Sequence, residues 1–199
     1  MKKTIVATLF VFFLLPVFAT PDRGVWVIDT LMGLTDSSYI IKQYVYDNMQ
    51  SHYQSRIQVF IIEKDLNSNK IIRNLKITEY IETVDSNTGE ITRDNRSEDK
   101  IAEVINNNPD LFYNITYVFP IGLPYGHIER CVLVNDVLSI NDGAGKIKKY
   151  QLNKLIKIDV SAERIIQEYE CNKYRIVLIE FGEPSFEQNY YQKIIVLRK

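Results

Sequence analysis

A series of β-branched and aromatic segments, separated by short turns, constrains the fold of this chain more than any other feature. Residues 57–62 (IQVFII) form the densest segment, and residues 71–84 form the longest. Turn-forming residues lie at 65–69 (DLNSN) and at 85–89 (DSNTG), and β-branched residues return beyond the second turn. Segments joined by such tight turns pair in chain order, so the pattern predicts an antiparallel meander.

Strand signals also occupy most of the second half of the chain. The predicted strands there are residues 112–119, 131–134, 137–140, 147–158, 174–181 and 193–197. Asn135 and Asp136 connect two of these segments as a two-residue hairpin turn. The segment 163–170 fits a strand or a helix, and so does the short apolar run 25–28. Thirteen tyrosines suit a fold with many half-buried strand positions.

A first helix is predicted over residues 36–49. Thr35 or Asp36 can cap its N-terminus, because a short polar side chain there accepts a hydrogen bond from a free backbone N–H. The apolar residues at helical spacing are Ile41, Tyr44, Val45 and Met49.

A second, shorter helix is predicted to begin after Ser97, which would cap it. Acidic residues follow in its first turn, and Ile101, Val104 and Ile105 form one apolar stripe. The three asparagines at 106–108 and the proline that follows them would end it.

These elements predict one α+β domain over residues 20–199, with two helices and a mostly antiparallel β-sheet. A long strand with imperfect alternation near Thr78 indicates a bulge or a break in the meander. A curved sheet or half-barrel wrapped around the first helix is one form that this fold would take.

The first 19 residues predict export. Lys2 and Lys3 precede an apolar run over residues 5–18, and Ala19 ends a short stretch that a signal peptidase could cleave. The run is shorter than the roughly 20 apolar residues of a membrane span. We therefore expect a cleaved signal peptide at 1–19 and a periplasmic or secreted mature protein without a membrane span.

The overall charge argues against nucleic acid as a partner. The leader holds two of the 24 basic residues and no acidic one, which leaves 22 against 25, a net charge of 22 − 25 = −3. Such a balance indicates neither a basic field for nucleic acid nor a polybasic segment for anionic lipid.

Cys131 and Cys171 are the only cysteines, and in an oxidising compartment they predict a disulfide. Closing a loop of about 40 residues would stabilise the fold by roughly 3–4 kcal/mol. The alternative is a reactive thiol, since His127 lies four residues before Cys131.

No catalytic, metal or cofactor motif stands out. The chain has two histidines, His52 and His127, and its cysteines lack the paired spacing of zinc sites, so we expect no metal and no cofactor. Glu180, Glu183 and Glu187 are the only candidates for a carboxylate-based glycan hydrolase, and solvated charges explain them as well.

Aromatic residues beside irregular segments form the one candidate binding patch. Its members are Tyr113, Tyr117, Tyr125, Phe186, Tyr190 and Tyr191. Exposed tyrosines offer a large contact area at a small entropic cost, although they could also cap the core beneath long loops. The sequence favours an exported, non-enzymatic envelope or secreted protein that binds a protein or glycan. The alternatives are an envelope hydrolase, of the Cys131/His127 thiol type or the carboxylate glycan type, and a structural envelope component.

Overall fold

A computed structural model describes residues 22–97, 100–113, 131–141, 145–170, 174–185 and 188–198. Within these ranges the chain is mostly β-sheet with three short helices, which is broadly the predicted α+β class. The strands are β1 Val25–Leu34, β2 Ser38–Asp47, β3 Gln54–Asp65, β4 Ile71–Val84, β5 Ile91–Ser97, β6 Cys131–Val134, β7 Val137–Asn141, β8 Ile147–Gln151, β9 Ala162–Glu170, β10 Tyr174–Phe181 and β11 Tyr190–Arg198. The helices are α1 Ile101–Asn107, α2 Pro109–Tyr113 and α3 Leu152–Leu155.

Eight of the strands form one open sheet in the order β5-β4-β3-β2-β1-β11-β10-β9. Strands β1 to β5 make a first meander and β9 to β11 a second, and every pair within either meander is antiparallel. The two meanders meet where β1 and β11 run parallel over three residue pairs. The sheet is therefore two antiparallel units joined by one short parallel junction.

The predicted turns of the first meander are confirmed. Asp65 accepts hydrogen bonds from the backbone N–H groups of Asn67 and Ser68, and Asp85 does the same for the N–H groups two and three residues further on. These carboxylates accept hydrogen bonds from N–H groups of the turns, which cannot pair within the strands. The predicted bulge is also present, because the register on β4 shifts between Thr78 and Lys76.

Strands β6, β7 and β8 form a separate small sheet. The predicted hairpin between β6 and β7 is confirmed: Asn135 and Asp136 both have positive φ, at 48° and 59°. This left-handed backbone matches the twist of the flanking strands, and Asn and Asp tolerate it better than most residues.

The predicted first helix is wrong, because the segment 36–49 contains strand β2. Tyr39, Ile40 and Ile41 are consecutive and fully buried, which requires core on both faces of the element. A strand provides that, because Tyr39 and Ile41 enter one apolar cluster and Ile40 enters another on the opposite face, whereas a helix with one apolar stripe buries one side. The half-barrel around a first helix is wrong for the same reason.

The predicted second helix is present as α1, with two corrections. Ser97 belongs to β5, and Lys100 takes the N-cap position without a side-chain hydrogen bond. Pro109 starts α2, so residues 109–113 are helical where a strand was expected from residue 112. Likewise α3 replaces the predicted strand after Gln151. The ambiguous segments 25–28 and 163–170 are both strands.

Three apolar clusters make up the core in the described part of the chain. The first packs β6, β7 and α3 against one face of β10 and β11, around Val177 and Ile179. The second includes residues of both meanders, among them Ile41, Ile176 and Ile194. The third lies between α1–α2 and the face of β2–β4 that carries Ile40, Ile61 and Ile77. Neighbouring residues of β10 and β11 enter different clusters, so both faces of these strands are buried. The predicted leader lies outside the described residues.

Candidate functional site

A row of aromatic side chains crosses the junction between the two meanders. Trp26 on β1 pairs with Tyr46 on β2 on one side and with Tyr190 on β11 on the other. Tyr46 pairs in turn with Ile57 on β3, and Ile57 with Tyr80 on β4. Paired residues of adjacent strands point to the same face of a sheet. We call Trp26, Tyr46, Tyr80 and Tyr190 the aromatic row.

Ring contacts connect the centre of the row. The ring centroids of Trp26 and Tyr46 are 5.3 Å apart, and those of Trp26 and Tyr190 are 5.8 Å apart in an edge-on arrangement. At the other end the guanidinium carbon of Arg93 lies 5.0 Å from the centroid of Tyr80. Edge-on rings and a cation over a ring face are favourable arrangements of the aromatic quadrupole.

Hydrogen bonds fix the polar end of three of these rings. Trp26 donates its indole N–H to the backbone oxygen of Ser185 at 2.9 Å, and Ser55 donates its hydroxyl to Tyr46 at 2.7 Å. The Tyr190 hydroxyl donates to Glu180 at 2.7 Å. Trp26, Tyr46 and Tyr80 are half-buried, whereas Tyr190 is buried. The arrangement is thus a pre-organised aromatic surface in which three of the four residues are partly exposed.

The segment after β10 reaches Trp26 because of Gly182. Its φ is +72°, and a Cβ at this position would lie 2.7 Å from the backbone oxygen of Asn189. A side chain here would therefore collide with the backbone, and the left-handed φ would add strain. The resulting turn places Ser185 beside the indole.

Glu180 anchors the β11 end of the row. Arg164 donates to both carboxylate oxygens, at 2.9 and 3.3 Å, in addition to the bond from Tyr190. Burial raises the pKa of the Glu180 carboxyl, but the hydrogen bonds from Arg164 and Tyr190 outweigh it, so the net pKa is lowered. A carboxyl held ionised in this way cannot act as a general acid near neutral pH.

A buried ion pair lies at the same junction. Asp29 of β1 has 1% of its surface exposed, and one of its carboxylate oxygens accepts from Lys193 of β11 at 3.3 Å and from Gln43 at 2.7 Å. Its other carboxylate oxygen has no hydrogen-bond partner among the described residues. Burial lowers the pKa of Lys193, and the nearby Asp29 carboxylate offsets part of that effect. This pair links the two meanders across 164 residues of sequence.

The structure describes only part of the predicted aromatic patch. Tyr190 belongs to the aromatic row, and Tyr191 packs against the core cluster beneath the small sheet. Tyr117, Tyr125 and Phe186 lie outside the described residues, and Tyr113 ends α2 without a described side chain. Whether these residues form one patch stays a prediction.

Sequence reasoning missed Trp26, Tyr46 and Tyr80. The available signal was the period of two in β2, where Tyr44 and Tyr46 share a face. That signal was hidden because the segment was interpreted as a helix. Tyr44 lies beside the row, and burial is the main reason that its pKa is raised to about 12.

Cys131 is buried, with 3% of its surface exposed, and no disulfide joins the described residues. Burial raises its pKa to about 12, and the neighbouring Glu168 carboxylate adds to that shift. A buried thiol with a raised pKa is a poor nucleophile. Cys171 and His127 lie outside the described residues, so the predicted bridge and the alternative dyad stay predictions.

Two further observations concern the described part of the chain. It contains no cluster of three or more His, Cys, Asp or Glu side chains arranged to hold a metal ion. It also contains no helix of sufficient length and hydropathy to cross a bilayer.

Comparisons with family models, with curated proteins and with solved structures give no match for this chain.

Proposed function

We propose that this chain is an exported, non-enzymatic protein that binds a macromolecular partner, protein or glycan, through the aromatic row. The observation that supports the proposal most is the position of Trp26 between two tyrosines, with its N–H already bonded to Ser185. Rings that are held in place lose little entropy on binding, and aromatic residues dominate binding energies at interfaces. The N-terminal apolar run supports export.

The thiol hydrolase is less well supported than the binding protein. Its nucleophile would be Cys131, whose burial and raised pKa both oppose thiolate formation at neutral pH. Rapid reaction of Cys131 in a thiol titration of the native protein would favour this alternative.

The glycan hydrolase is also weakened. Glu180 would have to serve as acid or nucleophile, but three side chains, Arg164, Tyr190 and Gln192, contribute to holding it ionised. Glu183 is exposed, and Glu187 lies outside the described residues. Turnover of peptidoglycan or polysaccharide that disappears in Glu180→Gln and Glu183→Gln would favour this alternative.

The binding proposal can be tested with the chain's single tryptophan. Trp26 lies in the row, so its emission reports on that surface alone. Peptidoglycan fragments, polysaccharides and fractionated envelope proteins are titrated into the protein. We expect one of these ligands to change the emission of Trp26 and to bind about tenfold or more weakly to Tyr80→Ala.

The matched control is Tyr53→Ala, which removes an exposed tyrosine outside the row. It should leave the affinity unchanged, and circular dichroism should show that both variants are folded. A ligand that binds both variants as tightly as the wild type would contradict the assignment of the row as the binding surface.

A further inference from the structure

The small sheet has one buried face and one exposed face. Cys131, Leu138 and Ile140 pack against the second meander. The register places Val132 opposite Ser139 and Lys149, on the other face of the sheet. Val134 and Ile147 belong to this outer face by the same alternation.

Half of the outer-face positions are apolar (Val132, Val134, Val137 and Ile147), and the others are Ser139, Asn141, Lys149 and Gln151. Val132, Val134 and Ile147 are exposed by 46%, 58% and 62%, and Leu155 of the adjoining α3 by 40%. Single exposed apolar residues need no explanation, but neighbouring ones on one face indicate an interaction surface.

A lysine-rich segment runs through β8 and α3, and the register places Lys149 on the outer face and Lys148 on the opposite face of β8. Five lysines lie between residues 146 and 157, and the sequence contains no acidic residue and no arginine over the same range. The formal net charge of the chain is −1, so without these five positive charges the remainder carries −1 − 5 = −6. The overall charge balance in the sequence concealed this lysine-rich segment.

Lys148, Lys149, Lys154 and Lys157 are exposed, and none of them pairs with a carboxylate in the described part of the chain. Lysines on an edge strand such as β8 also prevent pairing with other chains. That role explains Lys148 and Lys149, but it explains neither the lysines beyond β8 nor the apolar outer face.

We propose that the outer face of the small sheet, with β8 and α3, docks on the surface of an anionic lipid bilayer. Apolar side chains that enter the headgroup boundary and lysines that meet anionic lipid are the two components of peripheral membrane binding. The absence of arginine fits a diffuse layer of headgroups, because lysine is a point charge and arginine recognises individual carboxylates or phosphates bidentately. This surface is separate from the aromatic row and does not depend on it.

The test is flotation with two kinds of vesicle, pure phosphatidylcholine and phosphatidylcholine with about 30% phosphatidylglycerol. The chain from residue 20 onward is used, and all comparisons are between variants of that one chain. We expect binding to the anionic vesicles, little binding to the neutral ones, and release at about 0.5 M salt.

The decisive variant is Lys148→Gln/Lys149→Gln/Lys154→Gln. It should partition about 100-fold more weakly, roughly fivefold for each lysine. Its matched control neutralises three exposed lysines elsewhere, Lys42, Lys70 and Lys100, and should change partitioning far less. Val134→Ser/Ile147→Ser should weaken binding about tenfold without changing the salt dependence.

Three results would overturn the proposal. They are equal binding to neutral and anionic vesicles, an equal loss in the two triple-lysine variants, and capture by soluble polyglutamate without binding to vesicles. The last result would assign the surface to an acidic protein partner instead.

Discussion

The two meanders of the large sheet are stabilised in different ways. The first is built from hairpins of neighbouring segments, with Asp65 and Asp85 closing its turns and ten residue pairs between β2 and β3. The second is buried on both faces, against the small sheet on one and against residues of the first meander on the other. Both meanders thus have two buried faces and share one cluster, but α1–α2 cover the other face of the first meander and the small sheet covers the other face of the second.

The junction between them carries both structure and the candidate site. Three parallel pairs and the buried Asp29–Lys193 pair hold β1 beside β11, and the same pairing places Tyr190 beside Trp26. Loss of the junction would thus separate Tyr190 from Trp26 and the other two residues of the aromatic row even if the first meander stayed folded.

The largest effect is expected from breaking the buried ion pair. Lys193→Met leaves the Asp29 carboxylate buried without its cation, which should lower the free energy of unfolding by about 3–5 kcal/mol. Urea denaturation measures this loss. In Asp29→Asn/Lys193→Met a neutral amide can still accept from Gln43, so most of the stability should return. A double variant as unstable as Lys193→Met would show that the pair is not the cause.

Truncating core side chains should lower the free energy of unfolding by a similar or smaller amount. The two truncations below should also affect the two meanders differently. Ile176→Ala and Ile179→Ala each remove a fully buried side chain and should cost about 2–4 kcal/mol. Ile176 contacts the cluster that both meanders share, and Ile179 the cluster under the small sheet. Hydrogen exchange should accelerate in both meanders for Ile176→Ala, and mainly in β6–β11 for Ile179→Ala. Identical exchange patterns would contradict the division into two units.

The sequence predicted the first meander well because its information is local. Turn residues at 65–69 and 85–89 and β-branched segments between them determine which neighbours pair. The strand at 38–47 was not predicted because Ile41, Tyr44 and Val45 also fit a helical stripe. Only pairing with β1 and β3 on either side selects the strand. The junction could not be predicted, since no local signal pairs Trp26 with Tyr190.

Asp136→Ala tests the small sheet and should cost about 1–2 kcal/mol. The change places alanine at a φ of 59° and removes the side-chain acceptor of the Ala162 N–H, a bond of 2.7 Å. Chemical denaturation measures the loss. Asp85→Ala, in an exposed turn of the first meander, should have a smaller effect. The reverse order would show that the small sheet contributes little to the second meander.

The smallest effect concerns pH. The Glu180 carboxyl has a lowered pKa when folded, so its contribution is complete above its ordinary value of 4.5 and is lost as the pH falls below it through the folded value. The free energy of unfolding should therefore decrease with acid below that pH, and less steeply in Glu180→Gln. Equal slopes for the two proteins would contradict the pKa direction assigned to this carboxyl.

Site-specific photo-crosslinking tests the central claim, that the aromatic row is the binding surface, most directly. A photoreactive phenylalanine replaces Tyr80 in one strain and Tyr53 in another, and the cells are irradiated. The account predicts a discrete adduct at position 80 that is absent at position 53 and absent when Trp26 is changed to Ala. Adducts of equal yield at both positions, or none at position 80 in a folded and exported protein, would contradict it.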